Sequence, residues 1–339
     1  MYPKQLTGSS DPLPKGVCPF RELQTIRANL FVMTRSADRF HTLDAMRGIA
    51  ALAVVFYHAD RMVPRGYLAV DLFFALSGFV LYHAYAHRMR PGTFLLDRVI
   101  RLGPMMVIGA GVGLAINGGS TAILLMVPTG DYYLYPSNIP LWSLLFEFIA
   151  GAAFAFLFAF GRAAWLAMLL AGLAGVLMGI ASFGSADLGY NWESFGHGFA
   201  RTAFSFCVGI AIYRIVTRFE LRLGWGWAIV ALLLPFAVMM WPEDGSAAVD
   251  YAALFVILPL ALWLGAVSRF PVARVATWIG IPSYALYAVH HPLVKMDVSA
   301  WLTIPAAVLL AVVLGFVVEP QCRAALHAIR ERRLPATAQ

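Results

Sequence analysis

Long apolar runs, separated by short clusters of turn residues and charge, fill the chain from residue 43 onward. Read in windows long enough to cross a bilayer, they predict helices near 43–59, 67–84, 102–117, 139–160, 164–183, 199–216, 225–241, 251–267, 278–294 and 300–318. The runs are continuous and do not alternate with polar residues, which argues against a membrane β-barrel. The third window is short and Gly-rich, and 119–138 leaves room for a partial helix at Ala122–Val127. The expected fold class is all-α, a polytopic membrane bundle of about ten transmembrane helices. Residues 1–42 carry no apolar run of the kind a cleavable leader needs and read as a polar N-terminal tail. Residues 43–319 read as one transmembrane domain without internal repeats, and 320–339 as a C-terminal tail.

Composition agrees with this picture. The 339 residues are 60% hydrophobic and only 13% charged, with a mean hydropathy of +0.74. Soluble domains carry about twice that charge. The net charge of +7 does not imply nucleic acid, because the only lysines are Lys4, Lys15 and Lys295 and the arginines are scattered between apolar runs. With the N-terminus placed inside, twenty basic residues fall on inner segments, while only Arg61, Arg65 and Lys295 fall outside. This bias predicts a multi-pass protein with both termini cytoplasmic. Cys18, Cys207 and Cys322 are far apart in sequence, so neither a disulfide framework nor a metal site is expected.

Polar side chains inside spans cost at least ~2.5–3.5 kcal/mol each when charged, so each is a candidate for function. In the first helix Arg47 and His58 are eleven residues apart, which puts them on one face and about 16 Å apart along the axis. Asp44 lies one turn before Arg47. An inward polar track and an interfacial Asp44–Arg47 pair with His58 capping the outer end are both open readings. Asp71 and Gly78 share a face in the second helix, where the glycine lets another backbone approach; Asp71 facing outer water is the competing reading. Arg98 and Arg101, spaced i, i+3 at the inner mouth of the third helix, present two planar forks suited to phosphate. By the motif alone, ordinary anchoring at the inner surface is the simpler reading. Ser143 and Glu147 share a face next to Trp142, and a carboxylate so deep must be paired, protonated or wet. Ser283, Tyr287 and His290 form one stripe of the ninth helix, read as substrate-lining or as hydrogen-bonded packing. Glu319-Pro320 is expected to close the tenth helix, with Arg323 near enough to pair with Glu319.

In order along the chain, these segments resemble the acyltransferase 3 family of integral-membrane acyltransferases. The matching pieces are Leu43-Asp44-Ala45-Met46-Arg47-Gly48 through Tyr57-His58, the block Gly66–Phe79 around Asp71, Arg98-Val99-Ile100-Arg101, and Leu141-Trp142-Ser143-Leu144 with Glu147. They continue with Ser283–Tyr287, His290 and Pro292, and end at Val318-Glu319-Pro320. Phe148 and Gly103 depart from the common pattern, at positions where many members have an acidic residue and an aromatic. The resemblance implies transfer of an acetyl or other short acyl group from acyl-CoA to a hydroxyl of an envelope or exported polysaccharide. It makes acyl-CoA, a carbohydrate acceptor and membrane lipid the partners, with no metal and no nucleic acid. It implies that Arg47 and His58 form the catalytic motif and that Arg98 and Arg101 hold the donor. A neutral imidazole is a competent base for the acceptor hydroxyl at physiological pH, with Glu147 expected to orient an imidazole or bind acceptor hydroxyls. A multi-pass transporter of an envelope precursor or proton-coupled solute, with Arg47, His58, Asp71 and Glu147 as its polar pathway, is the rival.

Overall fold

A computed structural model describes residues 40–85 and 89–333. Among these residues every regular element is helical, and the only pairings of β type are two isolated bridges. Ten predicted windows each meet a helix: α1 His41–His58, α2 Ala69–Tyr85, α3 Pro91–Asn117, α4 Leu141–Leu157, α5 Gly161–Phe183, α6 Phe195–Phe219, α7 Trp225–Met239, α8 Ala248–Val267, α10 Ser283–Val294 and α11 Ala300–Val313. A short helix, α9 Ala273–Gly280, precedes α10, and α12 Glu319–Arg333 follows α11. The partial helix foreseen in the α3–α4 connection is a 3-10 turn at Thr121–Leu125. Among the described residues six helices are long and apolar enough to cross a membrane, while α4 and α7 are shorter apolar helices. About ten crossings therefore reduces to an all-helical bundle with six full-length candidates. The polar tail expected over 1–42 lies outside the described residues up to position 39, and α1 already begins at His41.

Three boundaries differ from the sequence reading for identifiable reasons. α3 starts at Pro91, whose missing N–H costs nothing at a first helical turn, so Arg98 and Arg101 lie inside a 27-residue helix and not ahead of one. The window 278–294 is two helices, because Ile281-Pro282 breaks the run and Pro282 can then lead α10. The chain does not become a tail after Glu319-Pro320. A π-helical turn at Leu314–Val318 absorbs the missing Pro320 donor, and the helix runs on to Arg333.

The tightest crossing is α2 on α6. A Cβ at Gly78 would collide with the Phe206 backbone, and one at Gly209 would collide with the Ala75 carbonyl. Two helices separated only by backbone have no room for intervening side chains, so polar groups near the crossing must bond directly across it. α3 and α10 approach through Gly109 and Ala288, where the fully buried Asn138 amide donates to both carbonyls, at 2.9 and 2.8 Å. Loop pairings mark the two ends of the bundle. Thr42 donates to the Ser268 carbonyl and Leu223 to the Val267 carbonyl at the Phe40 end. Arg65 donates to the Pro242 carbonyl at the His58 end.

Candidate active site

At the His58 end three imidazoles meet. His58 Nδ1 lies 2.9 Å from the Val54 carbonyl and 3.1 Å from His290 Nε2. His290 Nδ1 lies 2.9 and 3.1 Å from the carbonyls of Tyr287 and Leu286. Only one neutral assignment satisfies every contact. His290 must carry its proton on Nδ1 to meet two carbonyls, so its Nε2 accepts; His58 must then donate from Nδ1, which also meets Val54. The lone pair of His58 Nε2 is thereby left free. His291 closes the group edge-on to His58, with ring centroids 5.0 Å apart, and its buried Nδ1 has no hydrogen-bond partner. Beside them the Tyr57 hydroxyl donates to Asp187 at 2.6 Å. Burial raises the Asp187 carboxyl above the ordinary range, and the Tyr57 bond partly offsets this.

Further into the bundle, Ser143 and Tyr287 share a 2.6 Å hydrogen bond, and the Phe73 ring packs on Tyr287. Asp71 is clamped by Arg201, which donates from Nε and Nη2 at 2.6–3.0 Å and also reaches the Tyr67 and Leu188 carbonyls. Ser205 adds a third donor to the carboxylate. Arg201 and Asp71 are 1% and 2% exposed.

The opposite end of α1 is cationic. Arg98 donates to Glu147 at 3.0 Å and Ser77 to the same oxygen at 2.6 Å. Glu319 pairs with Arg323 one turn along α12. Arg47 and Arg101 lie within electrostatic reach of Glu147 and Glu319, yet among the described residues no carboxylate pairs with either. Among the described residues, the ion pairs of this group are Arg98 with Glu147 and Arg323 with Glu319. Buried Nε atoms of Arg98 and Arg323 have no acceptor. Buried donors without partners are costly, and an anion with several oxygens would satisfy them. Among the described residues no set of three or more His, Cys, Asp or Glu is arranged to hold a metal ion.

Residues 40–319 match the profile of acyltransferase 3, described as an acyltransferase domain. The chain belongs to that family. It is also 50% identical over 80 residues to "Protein 2 in picA locus" of Rhizobium radiobacter, a stretch covering 21% of this chain and 42% of that relative. The chain thus spans well under two thirds of that relative's length. No solved structure matches.

The acyltransferase 3 pattern divides between the two ends. His58 and His290 are brought together, as are Ser143 and Tyr287, and Arg98 and Glu147. Arg47 and His58 are on one helix but at opposite ends of the polar system. The remaining expected site residues have these partners. Glu147 touches no imidazole, because Arg98 and Ser77 hold it at the cationic end. Asp71 is held by Arg201 and Ser205; Trp142 packs on Phe74 and Phe146 with the Arg201 cation 5.9 Å from its ring. Ser283 donates to the Gly280 carbonyl at 2.6 Å and joins α9 to α10. Asp44 sits in the first turn of α1, where a carboxylate suits the helix N-terminus. Sequence reasoning missed Arg201, His291 and Asp187. A lone arginine in the apolar stretch Phe199–Val208 was the available signal for the first.

Proposed function

We propose that this protein is an integral-membrane O-acyltransferase that moves a short acyl group, acetyl being the simplest, from acyl-CoA to a hydroxyl of an envelope or exported polysaccharide. The observation that supports this most is the pairing of a free imidazole lone pair at one end of α1 with an arginine cluster at the other. His58 Nε2 takes the proton of the attacking hydroxyl, while His290 holds His58 in the tautomer that can do so. The hydroxyl oxygen bonds to the thioester carbonyl, the C–S bond breaks, and the proton passes to the departing thiolate. Arg47, Arg98, Arg101 and Arg323 hold the donor's phosphates. A pantetheine arm of CoA is long enough, fully extended, to bridge about 16 Å of helix.

The direct test mixes purified protein with acetyl-CoA and de-O-acylated polysaccharide from the producing cell. Free thiol should appear in step with ester on the glycan. Thiol release without glycan ester would overturn the acceptor class, and neither product would overturn the transfer reading.

Donor binding can be probed separately. Arg98→Ala/Arg101→Ala should weaken acetyl-CoA binding about tenfold or more, measured by calorimetry on protein that still elutes as a folded species. Lysine replacements should restore only part, because a point charge lacks the bidentate fork. Unaltered affinity in the double alanine variant would return the pair to surface anchoring.

The proposed orientation places the cationic end in the cytoplasm of a bacterial inner membrane and the three imidazoles toward the outside, with both termini cytoplasmic. Described basic residues of the Phe40 end include Arg90, Arg162, Arg214, Arg218, Arg222, Arg269 and Arg274, the bias that sets cytoplasmic loops. A periplasm-active reporter fused after Glu220 should be silent and one fused after Asp244 active. The opposite pattern would invert the assignment of donor and acceptor sides.

A further inference from the structure

The two longest connections at the His58 end, between α3 and α4 and between α5 and α6, are stitched together. Leu134 N donates to the Tyr190 carbonyl at 3.0 Å and Trp192 N to the Tyr132 carbonyl at 3.1 Å, which makes an antiparallel bridge between Tyr133 and Asn191. The Trp192 indole N–H donates to the Gly130 carbonyl at 2.7 Å, and the Asn191 amide donates to the Tyr132 hydroxyl at 3.0 Å. These bonds hold large, partly exposed rings at the surface. Tyr132, Tyr133 and Trp192 are 47%, 39% and 45% exposed. Tyr133 is tilted by 31° against Tyr190 at 6.0 Å between centroids, and Tyr132 meets Tyr133 edge-on at 4.8 Å. Asp131 and Glu193 flank the rings and are exposed.

We infer that this stitched pair of loops is a binding platform for the acceptor glycan, set beside and distinct from the histidine centre. Fixed ring faces of negative potential attract the C–H face of a pyranose, and large rigid rings provide contact area at low entropic cost. Asp131 and Glu193 supply acceptors for the hydroxyls at the ring's edge. Charge also favours this occupant, since a neutral or cationic polyol suits two carboxylates and an anionic lipid headgroup does not. The platform adjoins the chemistry. Tyr190 stands within electrostatic reach of Asp187, Asp187 accepts from Tyr57, and the Tyr57 ring meets His58 edge-on at 4.9 Å. A polymer laid across Tyr133 and Trp192 would therefore present a neighbouring sugar toward His58. The proposal rests on the acyl-transfer reading for its ligand class, but it concerns residues outside that chemistry.

The alternative is a belt of aromatic rings seated in the lipid headgroup layer, and two measurements separate the two. In nanodiscs containing brominated lipids, the fluorescence assigned to Trp192 (wild type minus Trp192→Phe) should be little quenched, and oligosaccharides from the cell's own de-O-acylated polysaccharide should alter it. Strong quenching by brominated lipid would overturn the platform. Tyr133→Ala and Trp192→Ala should each raise the KM for those oligosaccharides about tenfold, equivalent to about 1.4 kcal/mol, with acetyl-CoA affinity unchanged. Tyr133→Phe, which keeps the ring, should stay near wild type. Transfer with an unaltered KM in both alanine variants sinks the platform and leaves the transfer reading standing. Binding to the rings without any transfer does the reverse.

Discussion

His58→Ala should lose acyl transfer by about 10²–10⁴-fold, the usual contribution of a positioned general base, while acetyl-CoA affinity stays at the wild-type value. The split follows from where the groups lie: the imidazole is at one end of α1 and the arginine cluster at the other. His290 should matter less than His58 and without touching substrate, because its Nε2 shares the His58 Nδ1 proton with the Val54 carbonyl. His290→Leu removes one of these two acceptors and loosens the His58 ring, so the rate should fall by less than in His58→Ala while donor affinity holds. His290→Gln keeps an acceptor oxygen near the same point and should recover part of the loss. The decisive measurement is the double variant. Residues that act as a unit are not additive, so His58→Ala/His290→Leu should be no slower than His58→Ala alone. Independent losses that multiply would mean that His290 acts elsewhere. A wild-type rate in a normally inserted His58→Ala protein would remove the histidine from the chemistry.

The bundle was largely legible in the sequence because one signal, apolar runs of bilayer length, survives without tertiary information. Helix boundaries were less legible where proline acts according to context. Pro91 opens α3 and Pro320 is accommodated after a π-helical turn, whereas Pro282 divides two helices, and only the surrounding hydrogen-bond ladder distinguishes these outcomes. Spacing placed Ser283, Tyr287 and His290 on one stripe, and they do share a face. It could not say that their partners are three different groups, Gly280, Ser143 and His58, at three depths. Arg47 and His58 shared a stripe as well, yet face different partners because 16 Å of helix separates about three turns. Asp71 was singled out without Arg201, its counter-ion 130 positions away. Pairings across such distances leave no trace in local periodicity, and the requirement that a buried charge be matched was the only guide available.

That requirement yields the largest expected effect on folding. Arg201→Met should destabilise the protein by about 3–5 kcal/mol, since it leaves the Asp71 carboxylate buried and uncompensated. It also removes the donors to the Tyr67 and Leu188 carbonyls. The site has no slack to relieve the loss. α2 and α6 touch backbone to backbone at Gly78 and Gly209, so neither helix can shift to admit water or a new partner. Asp71→Leu/Arg201→Met should recover much of the stability, because replacing both members of a buried pair with apolar groups is often close to neutral. The check is the fraction of protein still monodisperse after heating in detergent, followed across wild type, the single variants and the double variant. If the double variant is no more stable than Arg201→Met alone, the unpaired charge is not the cause, and the cost lies in the lost carbonyl contacts. If Arg201→Met melts with wild type, the buried pair contributes nothing to holding α2 on α6. Should the double variant fold and still bind acetyl-CoA yet fail to transfer, the pair also fixes the α2–α6 packing that seats Tyr67 and Tyr57 beside His58.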